Sequence, residues 1–112
     1  MTETPTEGFQ LVQLPTGKRG IAVLKPLDKP VETGINGKHG VLYASSWVKV
    51  VDIFQLNQPK KHEMKAVSLT TPTVKFVIGR VVEMKLTARP GAIAVSGIYL
   101  FENIGDAYAW KL

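Results

Sequence analysis

The side chains that could carry chemistry here are two histidines, nine carboxylates, a Ser45-Ser46 pair and fourteen cations; there is no cysteine. His39 lies in a Gly-rich stretch and His62 in a charged one, and neither has a metal-binding spacing such as HExxH. Adjacent His62 and Glu63 point their side chains apart in most conformations. Ser45-Ser46 lacks the G-x-S-x-G elbow that exposes a nucleophile. Gly34-Ile35-Asn36-Gly37-Lys38 is too short to cradle a phosphate, and no helix follows it. Without thiolates there is no disulfide framework and no cysteine zinc site. These residues therefore predict no catalytic site, no metal and no cofactor, and a protein that is not an enzyme. Asp52 is the odd carboxylate, because it interrupts an apolar row. It is expected to be half-buried and paired with Arg80, which interrupts another.

The cations carry more information. Net charge is +5, and residues 58–90 hold seven bases against two acids. Concentrated positive charge attracts polyanions. Single-stranded nucleic acid is held by a basic groove that follows the backbone and by aromatic faces on which bases stack. Lys75, Lys85 and Arg89 share the outward parity of one extended segment, with Glu83 among them as a salt-bridge partner. Lys60, Lys61 and Lys65 flank a neighbouring loop. Tyr43, Trp47 and Lys49 share one parity of another strand. Together these nine residues form the expected nucleic-acid-binding face, with the cations on phosphates and the two rings on bases. The alternative is a structural module, viral or otherwise, that joins a shell or homo-oligomer through its β domain and N-terminal arm.

Positioning such a face requires sheets. Phe9–Leu14 and Ile21–Leu24 read as short strands around the turn chemistry of Pro15 to Gly20. Asp28 to Gly40 reads as a loop or irregular hairpin, with Asn36-Gly37 a tight-turn signal. Val41 to Leu56 is extended and apolar on both parities, so it either bends or is buried on both sides. Residues 73–89 alternate with period two, which a helix would scatter. A strand that long should bend, and Gly79 is the expected bend. Strands follow at Ala92–Phe101 and Tyr108–Leu112. Single helical turns fit only near residues 57–64 and Glu102–Ala107.

The pattern predicts an all-β chain with a flexible tail over residues 1–8 and a single β domain over 9–112. The expected architecture is a small antiparallel Greek-key barrel of the OB or SH3-like kind, because coiled strands favour closure. A two-sheet sandwich is the alternative. No apolar run reaches the roughly 20 residues that span a bilayer, and the first residues lack the basic start and apolar run of a secretory signal. The expectation is a protein with no membrane partner, located in the cytoplasm or within a viral particle.

Overall fold

Strand β1 (Gly8–Gln13) and strand β2 (Arg19–Pro26) form an antiparallel hairpin in unbroken register, from Gly8 opposite Leu24 to Gln13 opposite Arg19. The turn between them closes through Leu14 N–H to the Lys18 carbonyl, 2.8 Å, as its residue types require. The computed structural model describes residues 7–36, 40–58, 60–69, 74–84 and 97–109. Of the expected tail, residues 1–6 and their conformation lie outside that set. Gly8 belongs to the domain instead: it is buried, and a Cβ there would lie 2.6 Å from the Leu100 Cβ.

The remaining strands are β3 (Val31–Asn36), β4 (Val41–Ser45), β5 (Trp47–Gln55), β6 (Lys65–Ser68), β7 (Lys75–Val77), β8 (Val81–Glu83) and β9 (Ile98–Phe101). All nine described strands belong to one sheet with the path β3-β4-β9-β1-β2-β5-β8, while β6 bridges β1 and β7. The sheet curls because the chain from Lys61 to Ser68 touches both neighbours of β2. Its start bonds the edge of β5, with Glu63 N–H on the Ile53 carbonyl at 2.8 Å, and its end pairs Val12 with Ser68 on β1. The result is a mostly β, antiparallel, barrel-like fold, as the period-two patterning requires. The expected Asp28–Gly40 hairpin is β3 against β4 with a register shift.

Two clusters sit on opposite faces of this sheet. The inner one includes Val12, Leu24, Val48, Val50, Ile53 and Phe76. The outer one, Leu11, Ile21, Leu42 and Phe101, is roofed by Ala107 of the single described helix, α1 (Ile104–Ala109). Asn103 starts that helix, its Oδ1 accepting the Gly105 N–H at 2.8 Å. The expected Glu102–Ala107 turn is borne out, but the helix continues through Tyr108 and Ala109, where a strand was expected to begin; residues 110–112 of that strand lie outside the described residues. Residues 57–64 instead make a turn without a helix among the described positions.

Two expected breaks are located and one expected pairing is revised. Of the two outcomes expected for Val41–Leu56, the bend is found: it lies at Ser46 and divides the segment into two strands. Residues 74–84 form β7, a turn and β8, with Gly79 at φ +84° in that turn. Inward parity survives the turn, since Ile78, Val82 and Met84 still pack on the inner cluster that holds Phe76. Asp52 does not pair with Arg80. In the register with β2, Val23 faces Asp52 and Leu24 faces Val50, so Val51 is an extra residue, a β-bulge. The bulge switches the buried parity of β5 from Val48 and Val50 to Ile53 and Gln55, which explains the polar residue in the apolar row. Asp52 Oδ1 lies 2.8 Å from His62 Nδ1 and accepts the Ile53 N–H, while the exposed Arg80 occupies the turn. His62 is thus an exposed surface histidine that is also paired with Asp52; His39 lies outside the described residues.

Candidate nucleic-acid interface

The exterior face of β2, β5 and β8 carries an exposed ring between strands. Trp47 is 42% exposed, and Lys49 follows it on the same side of β5. Across the ladder Lys49 faces Lys25 of β2 and Val81 of β8, and Trp47 faces Glu83. Lys25 and Lys49 are thus like charges directly opposite one another, with Cβ atoms about 5 Å apart, an arrangement that destabilises a sheet. Both are exposed, and neither has an ion-pair partner among the described residues. The cations of this face, Lys25 and Lys49, lie between two carboxylates, Glu83 opposite Trp47 at one end and Asp52, opposite Val23 and paired with His62, at the other. A shallow cleft of about 420 Å³ opens beside the ring, lined by Ser46, Trp47, Glu83 and Met84.

Trp47 is positioned from beneath by a carboxylate that sequence reasoning missed. The Asp28 carboxylate accepts the hydroxyls of Ser45 and Ser46 and, at 3.1 Å, the Ser46 N–H. The Ser45 hydroxyl, having given its proton to Asp28, accepts the Trp47 N–H at 3.3 Å. The Trp47 carbonyl accepts the Leu27 N–H at 2.8 Å. The bend at Ser46 is thus held to the β2–β3 connection, and the tryptophan backbone is held with it. The signal was not local, because Asp28 and Ser45 meet only when the sheet folds.

Partial burial pushes the Asp28 carboxyl upward, but the Ser45, Ser46 and backbone hydrogen bonds outweigh it and hold the group below its ordinary value of 3.8. A carboxyl that is a stronger acid when folded stabilises the fold in its ionised form. That contribution is complete above the unfolded value and is lost as pH falls through the lower folded one. Asp28→Asn should therefore cost about 1–2 kcal/mol at neutral pH. It should also flatten the acid limb of stability below pH 3.8, read by urea unfolding across a pH series. An unchanged acid limb would remove Asp28 from this role.

The other expected site residues disperse. Tyr43 is 3% exposed within the inner cluster, so its ring packs in the core and is not available to a base. The bend at Ser46 separates it from Trp47, which its spacing had placed on the same face. Lys60 and Lys61 are exposed on the connection after β5, where the Lys61 carbonyl accepts the Gln55 N–H. Lys65 and Lys75 meet elsewhere, on the β6–β7 pair. Lys85 and Arg89 lie outside the described residues. Lys25, absent from the sequence-based set, completes the face through its register with Lys49. Lys25 falls just past the expected Ile21–Leu24 strand, and its partner strand was not legible from the sequence. Among the described residues no three histidine or acidic side chains converge on a point that would hold a metal, and no helix is long and apolar enough to cross a membrane. Comparison of the chain with protein-family models, with curated proteins and with solved structures found no match, so the face is read from its own geometry.

Proposed function

We propose that this protein is a non-enzymatic domain that binds single-stranded DNA or RNA across the exterior face of β2, β5 and β8. The supporting observation is the exposed Trp47 ring beside the unpaired cross-strand lysines Lys25 and Lys49. An exposed indole offers a stacking surface to any base, and two adjacent ammonium groups suit the phosphates on either side of it. Phosphates sit at Lys25 and Lys49, between Glu83 on one side and the Asp52–His62 pair on the other. The bound anion also relieves the repulsion between the two lysines.

The test uses Trp47 fluorescence in a Trp110→Phe background, titrated with a thymidine oligonucleotide at several salt concentrations. Quenching is expected, with affinity falling as salt rises. Each phosphate contact on a single strand adds about 0.7 to the slope of log K against log salt. Lys25→Ala with Lys49→Ala should lower that slope by about 1.4. Quenching that ignores salt, or a slope unchanged in the double variant, removes the lysines from the interface.

A second reading is self-association, favoured by Leu27, Val51 and Val81, which are apolar and exposed around the same ring. It predicts a concentration-dependent oligomer, Trp47 emission already shifted to the blue, and no quenching by oligonucleotide.

A further inference from the structure

A second cationic feature lies on another part of the exterior, where the β6–β7 pair meets the β1–β2 turn. A groove of about 480 Å³ runs there, with Lys65 and Lys75 among its walls. Lys65 faces Val77 and Val67 faces Lys75, so the two lysines are diagonal neighbours on one face with valines completing the square. The row continues across the sheet, because Val67 faces Gln13 and Gln13 faces Arg19. Arg19 and Lys75 are thus three strands apart, about 14 Å at the usual strand spacing. Arg19, Lys65 and Lys75 are all exposed, and none has an ion-pair partner among the described residues.

The walls of this groove differ from the Trp47 face in one decisive way. They include Leu14, Pro15, Val67 and Val77 but, among the described residues, no aromatic ring and no carboxylate. A base would find no stacking surface there. An extended chain with carboxylates on either side of an aliphatic residue would find a partner for each group.

We propose that the groove binds an acidic, extended peptide segment of a partner protein, with carboxylates on Lys65, Lys75 and Arg19 and an aliphatic side chain against Val67 and Val77. This site contains neither Trp47 nor Lys49 and stands apart from the nucleic-acid reading.

The test is fluorescence polarisation of a labelled peptide of alternating glutamate and valine, with a glutamine-for-glutamate peptide and a thymidine oligonucleotide as comparisons. The glutamate peptide is expected to bind and the glutamine peptide at least about tenfold more weakly. Lys65→Glu with Lys75→Glu should weaken peptide binding by about tenfold or more, while Trp47→Ala leaves it unchanged. Lys65→Gln with Lys75→Gln, checked for wild-type circular dichroism, gives the same comparison if charge reversal unfolds the chain. Equal binding of the two peptides overturns the proposal. So does a loss of oligonucleotide binding, rather than peptide binding, in the lysine variants, which would assign the groove to nucleic acid.

Discussion

Phe76→Ala is expected to destabilise the fold by about 3–5 kcal/mol, the usual cost of deleting a buried phenyl ring. Phe76 is fully buried and among the largest side chains that are, and it faces the small Ala66 across the β6–β7 pair. The ring extends into the inner cluster and ties this pair to the strands that carry Val12, Leu24 and Val50. Its loss leaves a cavity that a small shift cannot close, because β7 is laddered to β6 and β6 is in turn held by β1. A domain of this size has a total stability of only about 5–15 kcal/mol. The melting temperature should fall by about 10 °C or more, and the urea midpoint should fall with an unchanged m-value. Lys75→Ala, one residue away but outward, should change stability by less than about 0.5 kcal/mol. A cost below about 1 kcal/mol for Phe76→Ala would mean that the ring does not fill the core and that β7 does not close this side of the barrel-like sheet.

The second large effect is on binding. Under the proposed function, Trp47→Ala should weaken oligonucleotide affinity by about 1–3 kcal/mol, the range for losing one stacked base. That corresponds to a rise in Kd of about 5- to 150-fold. Stability should change little, because the indole is 42% exposed and its backbone is held by Ser45 and Leu27 rather than by the ring. Trp47→Phe should retain much of the affinity, since a phenyl face also stacks. The salt slope should stay the same in Trp47→Ala, which separates stacking from the phosphate contacts of Lys25 and Lys49. Wild-type affinity in Trp47→Ala would place any nucleic-acid contact elsewhere on the molecule.

Much of the fold follows from local pattern. Alternation identified which residues of β7 and β8 face inward, and Gly79, at φ +84°, supplied the expected break between them. Turn residues between β1 and β2 marked that hairpin. The candidate face was less legible. Lys49 and Trp47 were identified on their strand, but Tyr43 was grouped with them because four residues of unbroken strand would bring it to the same side. One bend at Ser46 turns it inward.

The sequence by itself determined the β class, the inward set along β7 and β8, and the excess of cations over residues 58–90, because each depends on residues near one another in the chain. Only the tertiary structure decided which cations share a surface. Lys25 meets Lys49, and Arg19 lines up with Lys75, through strand register, and register depends on partners distant in sequence. The bulge at Val51 and the bend at Ser46 belong to the same class. Each shifts the chain by a single residue, and in a strand a single residue exchanges one face for the other.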